Sequence, residues 1–146
     1  MRTPWHLWVV GSVALLWNAG GAYDYLMTQL DNQDYLSMLN PAQRAFMAAR
    51  PVWFDAVWFD AVWAIGVWFA VAGSVLILLR SRFAAPAFLI SLAGLLGSAV
   101  WSYGIARPSA LEVMGSISVW LSLLICATLI GFWAYSRAMT LRGVLR

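Results

Sequence analysis

Four long stretches of the chain carry no charged residue, and almost every charge lies between them. The stretches are residues 3–23, 61–79, 83–106 and 113–136. Each is close to the roughly 20 residues that a helix needs to cross about 30 Å of hydrocarbon. The pattern predicts an all-α integral membrane protein, a four-helix bundle with spans at about 4–25, 58–79, 83–105 and 113–135. These spans use most of the 146 residues, so we expect a single transmembrane domain over residues 1–146.

The segment between the first two spans, about residues 28–52, has the signals of two short helices. Asp31 is the predicted N-cap of the first, and Asp34 is the acid expected in its first turn. Asn40 and Pro41 mark the start of the second, because proline suits the first helical position. Apolar residues recur in both, which predicts short amphipathic helices in this outer loop.

Charge decides the expected orientation. The chain is 63% hydrophobic and only 10% charged, and all nine basic residues are arginines. Because these arginines flank spans, lipid headgroups are the expected partner and nucleic acid is not. One side of the membrane receives six of them and no acid: Arg2, Arg80, Arg82, Arg137, Arg142 and Arg146. The positive-inside rule therefore predicts cytoplasmic termini and a cytoplasmic tail at 137–146.

The N-terminus has some features of a signal peptide, since Arg2 precedes an apolar run that ends in small residues. Trp17 and Asn18 lie directly before those small residues and are unfavourable for cleavage. We therefore expect an uncleaved first span.

Small residues recur at helical spacing within the spans. In lipid, such stripes let helix backbones approach closely, because hydrophobicity does not itself drive association there. Gly94 and Ser98 of the third span are expected to pack against Ser118 and Ser122 of the fourth. The alternative is that these stripes line a permeation path.

A five-residue unit, Val-Trp-Phe-Asp-Ala, occurs twice in succession and carries Asp55 and Asp60. Five residues rotate a helix so that the two acids point about 140° apart. They cannot form one acid/base pair, and the duplication is interpreted as an outward extension of the second span.

Signatures of an enzyme or of a metal site are missing from the sequence. The single histidine, His6, cannot form a His-rich metal site, and the lone Cys126 is expected to be a packing residue. There is no Gly-rich phosphate loop and no nucleophile elbow. We predict no cofactor, no metal and no enzymatic activity.

One group of residues suggests a binding site. Asn18 is polar within a span, and Asp24 lies two turns further out, next to Tyr25. Together they are predicted to form a small polar pocket on the outer side, completed by Arg44 or by Arg50 or Arg107. The structural alternative is that Asn18 makes an interhelical hydrogen bond and Asp24 a salt bridge.

Several motifs resemble a family of small four-span bacterial inner-membrane proteins often labelled "sugar transporter". They are Trp17-Asn18, Gly21-Ala22, Asp24-Tyr25, Pro41, Gln43-Arg44-Ala45, Gly66-Val67-Trp68, the run 78–82, Pro86-Ala87-Phe88, Ser91-Leu92 and Gly94. The resemblance spans most of the chain and implies the bacterial inner membrane as its location. The duplicated Val-Trp-Phe-Asp-Ala unit departs from the family pattern.

Two functions of different classes follow from the sequence. The first is a non-enzymatic accessory or scaffold subunit that packs against other membrane proteins, as the small size and the tryptophan-rich surface suggest. The second is a small transporter that forms a homo-oligomer and binds a small polar solute near Asn18 and Asp24.

Overall fold

The protein is described from a computed structural model, which covers residues 3–48 and 54–146. The helices are α1 (Trp5–Gln29), α2 (Gln33–Met38), α3 (Pro41–Ala48), α4 (Phe54–Leu78), α5 (Ala84–Ala99), α6 (Ala110–Met114) and α7 (Ser116–Leu141). α5 continues as a π-helical segment over Val100–Ile105. The all-α prediction is confirmed, since the described residues form helices and no strand. Arg2, Arg50 and the side chain of Asp55 lie outside the described part of the chain.

Three helices are long and apolar enough to cross a membrane: Val57–Leu78, Ala84–Ile105 and Ser116–Leu141. They correspond to the second, third and fourth predicted spans and are compatible with a membrane protein. α1 is also 25 residues long, but it is the least apolar of the four long helices. Its His6, Asn18 and Asp24 lower its hydropathy, so its place as a further span stays a prediction.

The four long helices pack in the order α1, α4, α5, α7. The buried face of α1 consists of Leu7, Gly11, Ala14, Asn18 and Ala22, which recur every three or four residues. Gly11 brings this face close to α4, because a Cβ there would meet the side chain of Leu78 at 2.6 Å. By contrast, α1 and α7 make only slight contact with each other among the described residues. The bundle therefore has a seam between its first and last long helices.

The closest backbone approach joins α4 and α5. A Cβ on Gly94 would lie 2.7 Å from the Cα of Gly66 and 2.7 Å from the carbonyl oxygen of Val62. This corrects the expected partner of Gly94, which packs on α4 and not on the fourth span. Ser98 donates to its own helix at the Gly94 carbonyl (3.0 Å), while Ser118 and Ser122 donate within or next to α7. α5 and α7 do pack together, through Phe88 and Phe132 among others.

One end of the bundle, here called the arginine end, carries Arg80, Arg82, Arg137, Arg142 and Arg146. Its core includes Leu7, Ile77 and Phe88, all fully buried, together with Val144 and Leu145 from the segment after α7. That segment pairs with the α4–α5 turn, because the Arg146 amide donates to the Arg80 carbonyl (2.8 Å) and the Arg82 amide to the Arg146 carbonyl (3.0 Å). These contacts close this end of the bundle.

The opposite end, here called the acidic end, carries Asp24, Asp31, Asp34, Asp60 and Glu112. The predicted cap of α2 is corrected by one residue: Asn32 accepts from the Tyr35 amide (2.9 Å), while Asp31 is in the turn with φ of 50°. Asn40 and Gln43 cap α3 reciprocally, as the Asn40-Pro41 signal predicts. α3 then packs Phe46 against Trp101.

The fourth predicted span begins later than expected. Residues 110–114 form the separate helix α6, which starts at a capping box between Ser109 and Glu112. Gly115 adopts a φ of 70°, a left-handed value that suits glycine, and ends α6 before α7 starts. The Ser109 amide and hydroxyl contacts hold the pKa of Glu112 below its ordinary value.

Replacing Gly94 by alanine is expected to destabilise the protein, because the added methyl group meets backbone atoms that cannot move aside. Overpacking of this kind typically costs about 1–3 kcal/mol. Gly131→Ala is the control, since a Cβ at Gly131 has no neighbour within 4 Å. Thermal unfolding in mild detergent measures both, and equal melting temperatures for the two variants would contradict the close α4–α5 contact.

Candidate functional site

A cavity of about 540 Å³ lies in the half of the bundle nearer the acidic end. All four long helices and the π-helical segment contribute to its walls. Its lining is mostly apolar, with Trp17, Phe59, Trp63, Leu95 and Ile125 among the larger side chains. The polar side chains in the lining are Asn18, Asp24, Ser91, Ser98, Ser102, Tyr103 and Ser122. The cavity is partly open and so is accessible from outside the bundle.

The packing order of the helices explains why this cavity exists. α4 and α5 meet closely and form its floor, while the slight contact between α1 and α7 leaves the seam unfilled. Gly20 and Gly21 widen the seam further, because a Cβ on either glycine would have no neighbour within 4 Å. At the arginine end the seam is closed by a hydrogen bond of 2.6 Å between His6 Nδ1 and the Tyr135 hydroxyl.

Asn18 lies at the deep end of the cavity and is 8% exposed. Its amide nitrogen donates to Ser74 Oγ at 3.0 Å and to the Ala70 carbonyl at 3.4 Å. The interhelical hydrogen bond considered for Asn18 is therefore present. Its Oδ1 accepts no hydrogen bond from the described residues, so an acceptor is left in a residue that lines the cavity.

Asp24 lies nearer the mouth and is half-buried. Its Oδ1 accepts a hydrogen bond of 2.6 Å from the hydroxyl of Tyr35, which α2 carries over the end of α1. Burial, followed by the hydrogen bond to Asp24, raises the pKa of Tyr35 to about 12. The structure thus gives Asp24 a tyrosine as its partner, and no described arginine forms the expected salt bridge with it.

The other predicted site residues are not in the cavity wall. Tyr25 packs its ring edge-on against Trp63 and Trp68 of α4, with centroid distances of 5.0 and 6.3 Å. It therefore supports Trp63, which does line the cavity. Arg44 is exposed on α3, and Arg107 donates to the neighbouring Ala106 carbonyl at 2.9 Å. Arg50 lies outside the described residues. The residues brought together are thus Asn18 and Asp24, without a described cation.

The π-helical segment adds Ser102 and Tyr103 to the cavity wall. The Ala106 amide donates to the Trp101 carbonyl five residues earlier (2.8 Å), which characterises a π turn. Ser102 and Tyr103 line the cavity from this segment, and the Tyr103 hydroxyl bonds to Ser122 Oγ at 2.8 Å. Ser91, Ser98 and Ser102 recur at the helical spacing of the small-residue stripe, whereas Tyr103 was not among the predicted site residues.

The groups that the cavity offers are apolar walls, hydroxyl groups, indole N–H groups, one amide oxygen and one carboxylate. Among the described side chains, no three His, Cys, Asp or Glu residues lie close enough together to hold a metal ion.

Tyr35→Phe is expected to remove the hydrogen bond to Asp24 and with it one titrating phenol of high pKa. Because the folded-state pKa lies above the ordinary value of 10.0, this contact stabilises the fold below pH 10 and is lost as the pH rises toward about 12. The difference between the ultraviolet tyrosinate titrations of wild type and Tyr35→Phe should isolate the titration of Tyr35. Asp24→Asn removes the charge that faces Tyr35 and retains Tyr23, so it should lower the pH at which Tyr35 titrates. An unshifted titration would contradict the contact.

No protein-family model matches this chain, and neither a curated protein nor a solved structure does. The resemblance to the four-span proteins labelled "sugar transporter" therefore stays a prediction that rests on its sequence motifs.

Proposed function

We propose that this chain is a four-span protein of the bacterial inner membrane that binds a small amphipathic molecule in the cavity between α1 and α7, as a solute carrier of the transporter class would. The observation that carries the proposal is the cavity itself. Its volume of about 540 Å³ falls in the range of ligand pockets, roughly 300–1,000 Å³. Largely apolar walls with a few polar groups are also typical of such pockets.

The cavity favours a ligand with an apolar body over a free sugar. Each sugar hydroxyl that loses water without gaining a hydrogen bond is costly. Several hydroxyls of the lining are already engaged with the protein: Ser91 donates to the Gly66 carbonyl at 2.5 Å, and Tyr103 is bonded to Ser122. Few groups remain to match a polyhydroxylated solute, whereas the indole and aliphatic side chains match an apolar one.

An accessory subunit remains the second candidate, because α7 is packed on one side only. In an apolar 18-residue stretch of α7, only 11% of the residues are buried. The corresponding shares are 28% for α4 and 33% for α5 with its π-helical segment. This face would contact lipid, other membrane proteins or a second copy of the chain. Purification in mild detergent separates the two functions, since a large stable complex with other proteins favours the accessory subunit.

The proposed orientation has the arginine end in the cytoplasm and the cavity mouth outside. Gln33→Cys in a Cys126→Ser background should react with a membrane-impermeant maleimide in intact cells, because Gln33 is exposed next to the acidic end. A reporter that works only in the cytoplasm should be active when it is fused after Arg146. Activity there of a reporter that works only outside the cytoplasm would contradict this orientation. Labelling of Gln33→Cys only after lysis would contradict it as well.

Filling the cavity from Gly21 is expected to abolish binding of a small apolar probe without disturbing the fold. Gly21→Leu places its side chain where no atom lies within 4 Å of the Cβ, between Asn18 and Asp24 along α1. The probe is 1-adamantanol, whose binding to the purified protein in nanodiscs is measured by saturation-transfer NMR. Affinity should fall by at least about tenfold, which corresponds to about 1.4 kcal/mol.

Gly131→Leu is the matched control for this experiment. It is also a helical glycine with open space at its Cβ, but it lies on α7 outside the cavity lining. Binding should be unchanged in this variant. If wild type does not bind the probe, or if both variants reduce binding equally, the cavity is not a ligand site and the proposed function fails.

A further inference from the structure

The polar groups of the cavity are unequal in hydrogen-bonding character. Asp24 is the only charged residue among the described side chains that line it, and no described arginine or histidine reaches the lining. A carboxylate can only accept hydrogen bonds, and the amide oxygen of Asn18 is also an acceptor. The amide nitrogen of Asn18, which would have been a donor for a ligand, is already engaged with Ser74 and Ala70. The Asp24 carboxylate and the Asn18 amide oxygen therefore give the α1 wall of the cavity an acceptor character, while the indole N–H groups of Trp17 and Trp63 remain donors elsewhere in the lining.

Asp24 retains binding capacity after its contact with the protein. The Tyr35 hydroxyl occupies Oδ1, while Oδ2 has no hydrogen bond or ion pair with a described residue. Neither Arg44 nor Arg107 lines the cavity: Arg44 is exposed on α3, and Arg107 donates to the Ala106 carbonyl. A half-buried carboxylate without a cationic partner attracts a positive charge more strongly than a fully solvated one, because the local dielectric constant is lower.

The aromatic walls favour the same sign of charge. Trp17, Phe59, Trp63 and Tyr103 all line the cavity. The faces of aromatic rings carry partial negative charge, and they attract ammonium groups by about 0.5–1 kcal/mol at exposed sites and more when the pair is desolvated. Trp63 is held in place by Tyr25 on one side and by Phe59, at a centroid distance of 5.7 Å, on another. A cation that approaches Asp24 would therefore meet a wall that is already ordered.

Building on the proposed function, we propose that the cavity selects small organic cations: amines or quaternary ammonium compounds with an apolar body. The ammonium group pairs with Asp24 near the mouth, and the apolar body extends toward Leu95, Ile125 and Leu129. Neutral molecules of the same shape bind through the apolar contacts alone. Anions of the same shape are disfavoured, because they would bring a second negative charge beside Asp24, and none of the described lining residues is a cation that would compensate it.

The test compares three probes that share one apolar cage and differ only in their head group: 1-adamantylammonium, 1-adamantanol and 1-adamantanecarboxylate. Binding of each to the full-length protein in nanodiscs of zwitterionic lipid is measured by saturation-transfer NMR at neutral pH. We expect the ammonium probe to bind about tenfold more tightly than the alcohol, and the carboxylate more weakly than the alcohol. This order is measured on wild type and needs no variant.

Asp24→Asn then identifies the group responsible. It keeps the size of the side chain and removes its charge, so the ammonium probe should fall to within about twofold of the alcohol, while the alcohol keeps its wild-type affinity. Asp31→Asn is the matched control, because Asp31 is an exposed acid at the same end of the bundle and lies outside the lining. Asparagine also tolerates the positive φ of Asp31. The control should leave the preference for the ammonium probe intact.

The outcomes separate this inference from the proposed function. If all three probes bind equally and Gly21→Leu blocks them, the cavity is a ligand site without charge selection, and only the cation proposal is overturned. If Asp31→Asn and Asp24→Asn weaken the ammonium probe equally, the preference is a general surface effect, which also overturns it. If none of the probes binds to wild type, both proposals fail.

Discussion

The close approach of α4 and α5 at Gly66 and Gly94 is the contact on which the rest of the bundle depends. In hydrocarbon, apolar side chains gain little by leaving lipid for one another, so helices associate where their backbones can meet and where polar groups can bond across the interface. Both conditions hold here. The two glycines leave no room for a side chain, and the Ser91 hydroxyl donates to the Gly66 carbonyl at 2.5 Å. This rigid pair is the surface on which α1 and α7 are then placed.

α1 and α7 occupy the two sides of that pair, and the space between them is filled at one end of the bundle and open at the other. At the arginine end, buried side chains such as Leu7 and Phe88 fill the gap, and the backbone of Arg146 hydrogen-bonds to the α4–α5 turn. Toward the acidic end, Gly20 and Gly21 leave the space between α1 and α7 unfilled, and the gap stays open as a cavity. Asn18 marks the boundary, since its amide nitrogen donates to Ser74 Oγ and to the Ala70 carbonyl of α4.

Charge is distributed unevenly between the two ends of the bundle. The sequence assigns all six acids to the side opposite the arginine end, and one of them, Asp24, lines the cavity. The short helix α2 contributes the hydroxyl that holds it, so the segment between α1 and α4 is part of the site as well as a connection. A buried carboxylate needs hydrogen bonds or a counter-ion to offset its lost hydration. Here one oxygen has its hydrogen bond, and the second is the feature that makes a cationic ligand chemically reasonable.

The sequence by itself determined the helices and their apolar character, because hydropathy and the position of charges act locally and leave a direct trace in the chain. The all-α class, three apolar spans, the start of α3 at Asn40 and Pro41, and the selection of Asn18 and Asp24 as site residues all follow from it. The last span was predicted to end at 135, whereas its helix continues to Leu141, so the first part of the predicted tail at 137–146 is helical. Local turn geometry was harder, since the cap of α2 moved to Asn32 and Gly115 separated α6 from the fourth span.

Only the tertiary structure decided which stripes meet. Stripes of small residues like the one that contains Gly94 occur on several helices. Such a stripe indicates that another helix approaches closely, but it does not identify that helix. The sequence therefore could not assign Gly94 to α4, could not place Tyr35 on Asp24 or Tyr103 on Ser122, and could not exclude Tyr25 and Arg44 from the cavity wall. These assignments depend on the rotation and order of helices that are distant in the chain, which is a property of their packing and not of any one segment.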